Sequence, residues 1–208
     1  MKKKEFASLA RQLLPHVADM IVHGPMMLTI PVGQVLRGIY FEGSDFDAKS
    51  FYVWVFWLPL YVPTEQVSFN LGKRIRSAAG ERWNTDSPRL LENLVIAIRT
   101  EAIPLLKRLE TPEGVLEAAR SAAAGSKDPY VHQALSYALA IAGKTEAAVS
   151  AIDVLLGFLD PAIPWQAELG SRTTLLKEKL LERPENAAAM LEGWRTESIR
   201  KLGLESLS

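Results

Sequence analysis

Cysteine is absent from the 208-residue sequence, and histidine occurs only three times. The lack of cysteine excludes disulfide bonds, thiolate metal ligands and a cysteine nucleophile. His16, His23 and His132 are far apart in the chain, whereas a zinc site needs three or four ligands. The sequence also lacks the Gly-x-Ser-x-Gly motif of serine hydrolases. We therefore predict no metal site, no bound cofactor and no catalytic residues.

Neither sign of charge dominates, since 24 basic residues balance 24 acidic residues. A neutral chain has no overall field that would attract nucleic acid, so we do not expect a nucleic-acid partner. One local basic cluster is a candidate anion-binding site, formed by Lys73, Arg74 and Arg76. The alternative is a solvated face whose cations pair with Glu81 or Asp86.

A second charged cluster is acidic and consists of Glu42, Asp45 and Asp47. Phe46 interrupts its spacing, and no glutamate follows in the position that a calcium-binding loop requires. We therefore interpret these residues as part of a solvated loop.

Long apolar runs are missing as well. Residues 51–63 form the most apolar segment, but a membrane-spanning helix needs about 20 apolar residues, and Pro59 and Pro63 interrupt the segment. The lysine-rich residues 1–4 resemble the start of a secretion signal, but charged Glu5 and Arg11 replace the apolar stretch that should follow. We predict a soluble, cytoplasmic protein with no transmembrane segment.

The first part of the chain predicts a helix followed by strands. Apolar residues recur at helical spacing over residues 5–18, and residues 35–41 and 51–58 are β-branched and aromatic on either side of a polar loop. Alternation of Val67, Phe69 and Leu71 with polar residues predicts a third strand, while a helix from Thr64 is the alternative. Residues 51–58 are apolar on both faces, which is typical of a covered central strand. A protein interface and a membrane surface are the alternatives for this segment.

The composition changes near residue 84, after which helix-forming residues and helix start signals dominate. Ser87, Thr111 and Asp128 each precede a proline, which is the pattern of a helix cap. Further starts near Thr145, Pro164 and Pro184 give about six antiparallel helices. The predicted fold class is α+β, with an N-terminal domain over residues 1–84, built on a helix and a three-stranded antiparallel sheet, and a helical domain over residues 85–208.

Residues 132–161 contain large and small residues in the order of a helix-pair repeat: Leu135, Ser136, Leu139, Gly143, Ala148, Ile152 and Leu155, closed by Pro161. This segment resembles one tetratricopeptide helix pair. His132 and Leu139 occupy positions where that repeat favours Trp and Tyr. The resemblance implies a repeat-like helical half, and an irregular stack of helix pairs is the alternative.

With no catalytic motif, the sequence favours a non-catalytic protein-binding or adaptor module. Aromatic side chains are common anchors of protein interfaces. Two sets of candidate partner-binding residues follow: a helical groove lined by Tyr130, Tyr137 and Trp165, and the aromatic hairpin around Trp54 and Trp57. The alternatives are a small enzyme with a pocket between the two halves, and a homo-oligomer, for example a homodimer, that associates through the aromatic strand.

Overall fold

The computed structural model describes residues 3–208 and confirms the predicted α+β fold class. The chain forms two compact units. One contains the residues up to Leu58 together with Leu71–Arg108 and Ser206–Ser208, and the other contains Pro59–Asn70 and Leu109–Glu205. Packing does not establish which segments fold independently, so the domain boundary near residue 84 stays a prediction.

The first unit is built on an antiparallel sheet that has six strands within the described residues, instead of the predicted three. The strands are β1 (Met20–His23), β2 (Met26–Thr29), β3 (Val35–Gly43), β4 (Ser50–Pro59), β5 (Gly72–Ile75) and β6 (Trp83–Asn84). They follow the order β1-β2-β3-β4-β5, and β6 pairs with β4 beside β5. The two predicted strands, β3 and β4, are confirmed and are the longest. A tight turn at Gly24, with φ of 59°, joins β1 to β2.

Helix α1 (Lys3–Leu13) supplies the apolar cover for one face of this sheet. The Phe6 ring lies 6.3 Å from the Phe41 ring and 5.8 Å from the Phe51 ring. Val53 and Val55 extend the same core along β4. The helix ends before Pro15, which lies in a short 3-10 turn, Leu14–His16. The predicted opening helix is therefore confirmed, with an earlier end.

The predicted strand over Val67, Phe69 and Leu71 is wrong, and so is the alternative helix from Thr64. These residues lie in an irregular segment. The Trp57 N–H of β4 donates to the Leu71 carbonyl at 3.4 Å, and the register of β5 with β4 begins at Gly72. Pro59 ends β4, and residues 59–70 then belong to the second unit. Burial does not follow the alternation of apolar and polar residues, because Val67, Ser68 and Phe69 are all half-buried.

The first predicted helix of the C-terminal half consists of α2 (Leu90–Ala97), a π-helical segment (Ile98–Ala102) and α3 (Ile103–Arg108). Pro104 has no N–H to donate to the carbonyl four residues earlier, and its ring crowds that carbonyl. The wider π turn lies directly before it, as expected for a helix that accommodates a proline. Ser87 does not cap this helix; Arg89 precedes its first turn with φ of 61°.

The second unit contains five helices in its described residues: α4 (Pro112–Ala123), α5 (Pro129–Ile141), α6 (Thr145–Phe158), α7 (Pro164–Glu182) and α8 (Pro184–Lys201). The predicted caps Thr111 and Asp128 are confirmed, since their side chains accept hydrogen bonds from the backbone N–H groups of Gly114 and Tyr130. Helix α5 packs against α4, α6 and α8, and α7 packs against α6 and α8. Helices α5 to α8 thus surround a shared core.

No helix among residues 3–208 is long and apolar enough to cross a membrane.

Candidate functional site

Trp54 lies half-buried on the face of the sheet opposite α1. Its indole Nε1 donates a hydrogen bond of 2.8 Å to Glu42 Oε2 on the neighbouring strand β3. This bond holds the ring in one orientation, because an indole N–H that is partly buried needs an acceptor. Trp54 therefore presents a fixed aromatic surface.

Arg74 lies directly opposite Trp54 in the register of β4 and β5. Its guanidinium carbon is 4.0 Å from the centre of the Tyr52 ring and 4.8 Å from the centre of the Trp54 ring, which are cation–π distances. Its Nη1 donates a hydrogen bond of 2.9 Å to Glu81, and this bond holds the pKa of the Glu81 carboxyl below its usual range. We call Glu42, Tyr52, Trp54, Arg74 and Glu81 the aromatic–arginine surface.

The two other members of the predicted basic cluster border the same surface. Lys73 and Arg76 line an open depression of about 500 Å³ together with Trp54, Arg74, Glu81 and Glu101. Arg76 Nη2 lies 3.5 Å from Glu81 Oε1, so one carboxylate engages two guanidinium groups. Trp54, a predicted partner-binding residue, is thus a neighbour of the predicted anion-binding residues Lys73, Arg74 and Arg76.

Tyr130 and Trp165 also meet, although 35 residues separate them in the sequence. Their rings stack with centres 5.1 Å apart at an angle of 8°, and the residues are 45% and 41% exposed. Tyr130 begins α5 behind the Asp128 cap, and Trp165 begins α7 behind Pro164 at the first helical position. The two helix starts therefore place an exposed aromatic pair at one end of the second unit.

Trp57 and Tyr137 lie in the interior instead. Trp57 is 4% exposed, and Tyr137 is fully buried, with its hydroxyl 3.1 Å from Thr173 Oγ1 and its ring 5.8 Å from the Trp194 ring. Burial raises the pKa of the Tyr137 hydroxyl. A buried ring offers no contact area to a partner, so the exposed surfaces depend on the other predicted residues.

Sequence reasoning missed the contact that Glu42 makes and the exposure of Phe46. Glu42 was assigned to a solvated loop, yet it orients Trp54. Glu81, which the sequence offered as a partner for the basic cluster, does pair with Arg74. Phe46 was taken only as an interruption of an acidic cluster, and it is 93% exposed. A large apolar residue between two aspartates in a polar loop was the available signal for Phe46.

Within the described part of the chain, no group of three or more His, Asp or Glu residues is arranged to hold a metal ion. No family model, curated protein or solved structure matches the chain.

Proposed function

We propose that this protein is a non-catalytic protein-binding module whose principal contact site is the aromatic–arginine surface. The observation that carries the proposal is the position of the Arg74 guanidinium over both the Tyr52 and Trp54 rings. Trp, Tyr and Arg are the residue types most enriched among the residues that dominate binding energy at protein interfaces. Here all three lie in contact on a partly exposed sheet face.

The surface is ordered before any partner binds. Glu81 and two rings hold Arg74, and Glu42 holds Trp54. Immobilising a long side chain on binding costs about 0.5–1.5 kcal/mol, so side chains that are already held lose less of the binding energy. A preorganised surface of this kind suits recognition of a folded or extended polypeptide.

The charge balance of the surface favours protein over nucleic acid. Lys73, Arg74 and Arg76 face Glu81 and Glu101 around the same depression, and Glu42 lies beside Trp54. Nucleic-acid binding gains its affinity from cations that replace the counterions of several phosphates. Cations that are already opposed by carboxylates supply little of that energy.

The exposed Tyr130–Trp165 pair supports the same function through a second contact site. Each ring is held by the other, so this pair is also ordered in advance. The small-enzyme alternative stays a prediction, and no observation of the structure favours it.

In the test, the wild-type protein and two Arg-to-Lys variants are each used as bait to capture proteins from an extract of the source cells. Each captured protein is then purified, and its affinity for the wild type and for both variants is measured. Arg74→Lys keeps the charge but removes the planar group that stacks on the rings. Arg89→Lys is the matched control, because Arg89 also pairs with a carboxylate, Glu92, while no ring contact is found for it among residues 3–208. We expect a partner whose affinity falls about tenfold or more with Arg74→Lys and stays unchanged with Arg89→Lys.

Thermal melts establish that both variants are folded. Equal binding by the two variants would contradict the proposed site, and capture of RNA with no direct protein ligand would contradict the proposed function. Trp165→Ala in the same assay measures the contribution of the second site.

A further inference from the structure

Phe46 projects from the loop between β3 and β4, and its 93% exposure is the largest among the exposed large apolar residues of the described chain. Asp47 orders this loop, since its carboxylate accepts hydrogen bonds from Ser50 Oγ at 2.6 Å and from the Lys49 backbone N–H at 2.9 Å. These bonds hold the pKa of Asp47 below its usual range, with smaller contributions from the charges of Lys49 and Arg82. The loop is thus an ordered support that holds a phenyl ring in water, and burial of that ring on association would gain free energy.

A pocket of matching character lies in the same unit. It has a volume of about 390 Å³ and lies between α2 and the segment that connects β5 to β6. Its apolar lining includes Leu90, Ala97 and Ile96, and Ile96 is 54% exposed. Its charged lining consists of two cations and one carboxylate, Arg76, Arg82 and Glu101. We call this concavity the Ile96 pocket; its size falls within the range of about 300–1,000 Å³ that is typical of ligand pockets.

The charges of the two features are complementary. Asp45 precedes Phe46 and is exposed, with no ion-pair partner among residues 3–208. Arg82 is exposed at the pocket and forms no ion pair in that part of the chain, and its charge acts at longer range on Asp47. A phenyl ring entering the pocket would bring the Asp45 carboxylate towards the Arg82 guanidinium.

The loop and the pocket also lie side by side in one molecule. The backbone N–H of Thr85 donates to the Lys49 carbonyl at 2.9 Å, and Lys49 forms an ion pair with Asp86. Asn84, which pairs with Ser50 at the end of the loop, lines the pocket. A two-fold symmetric contact requires a self-complementary patch, in which each copy offers the projection and the recess to the other.

We propose that two copies of this chain associate through this patch, with Phe46 of each copy in the Ile96 pocket of the other and Asp45 opposite Arg82. The contact is small, because one loop and one pocket per copy cover less than the roughly 800 Å² per partner of a standard interface. The resulting dimer is reversible and depends on protein concentration. The Ile96 pocket adjoins the aromatic–arginine surface, because Arg76 and Glu101 line both depressions.

Sedimentation equilibrium over a concentration series tests the proposal. Phe46→Ser removes the ring from a residue that makes no core contact, and we expect the dimer to weaken by about tenfold or more for each of the two rings. Leu181→Ser is the matched control, because Leu181 is an apolar residue with 66% exposure in the other unit. A wild-type chain that stays monomeric up to millimolar concentration, or a dimer that Phe46→Ser leaves unchanged, would overturn the proposal.

A charge exchange identifies the pairing across the interface. In a dimer of the Asp45→Arg variant, the new arginine of each copy would lie opposite Arg82 of the other copy. In a dimer of the Arg82→Glu variant, the new glutamate of each copy would lie opposite Asp45 of the other copy. Each variant should therefore dimerise more weakly than the wild type. An equimolar mixture of the two variants should restore the dimer, because both contacts of the mixed dimer then join opposite charges. No restoration in the mixture would contradict the assigned pairing.

Discussion

Replacing Gly38 by alanine should destabilise the sheet of the first unit, because no space exists for a methyl group there. A Cβ atom at this position would lie 2.4 Å from the backbone oxygen of Met27, 3.1 Å from Leu28 Cδ2 and 3.2 Å from Phe56 Cε1. The first contact is the decisive one, since it involves the backbone of the neighbouring strand β2, which pairs with β3 at Leu28 and Gly38. The two side-chain contacts add crowding on the same face.

The size of the effect follows from the movement required. The two strands must separate by about 0.6 Å to bring the contact from 2.4 Å to the 3.0 Å below which Cβ contacts are essentially never seen. Overpacking of this kind costs about 1–3 kcal/mol. A weakened backbone hydrogen bond between β2 and β3 adds about 1 kcal/mol. Alanine recovers roughly 0.5–1 kcal/mol of the backbone entropy that glycine loses on folding, so we expect a net loss of about 1–3.5 kcal/mol.

Urea unfolding followed by circular dichroism measures this loss as a lower midpoint of the sheet transition at an unchanged slope. Gly193→Ala is the matched control, since Gly193 lies on the exposed face of α8 and a Cβ there would meet no atom within 4 Å. The same substitution should raise stability by about 0.5–1 kcal/mol at that helix position. A Gly38→Ala variant as stable as the wild type would refute the close approach of β2 and β3 at this residue.

Further predictions concern buried hydroxyl groups and a helix cap. The Tyr61 hydroxyl is buried with no hydrogen-bond partner in the described residues, so Tyr61→Phe should raise the free energy of unfolding by about 1 kcal/mol. Tyr137→Phe should lower the free energy of unfolding by about the same amount, because it leaves the Thr173 hydroxyl unpaired. Burial raises the pKa of both tyrosine hydroxyls, so these groups lose their protons at a lower pH in the unfolded state than in the folded state. The stability of the protein should therefore fall as the pH rises above about 10. In thermal melts, the melting temperature of the double Phe variant should fall less over this pH range than that of the wild type. Thr111→Ala removes the acceptor for the Gly114 N–H and should cost about 1 kcal/mol in urea unfolding, while an unchanged midpoint would show that the cap contributes nothing.

Features that depend on near neighbours in the chain were predictable. Thr111 and Asp128 cap their helices because the side chain and the N–H groups it satisfies lie within three residues of each other. The same local rule failed at Ser87, where the positive φ of Arg89 shifts the helix start. Alternation along residues 67–71 also misled, because Val67, Ser68 and Phe69 are all half-buried in a loop and the segment has no single wet face.

The burial of individual aromatic residues was beyond local reasoning. Trp54 and Phe56 share one face of β4 by alternation, yet Trp54 is half-exposed and Phe56 is fully buried. Periodicity identifies the face of a side chain, whereas its exposure depends on what the rest of the chain places over that face. The same distinction separates exposed Tyr130 from buried Tyr137 on α5.

By itself the sequence determined the α+β class, the two long central strands, most helix starts and the absence of cysteine chemistry, because each depends on composition or on contacts a few residues apart. The tertiary structure alone decided which side chains meet. Arg74 reaches Trp54 through the register of β4 and β5, and Trp165 reaches Tyr130 through the packing of helices that the chain separates. Both candidate surfaces exist because long-range pairing brings together residues whose separation in the sequence carries no signal of their contact.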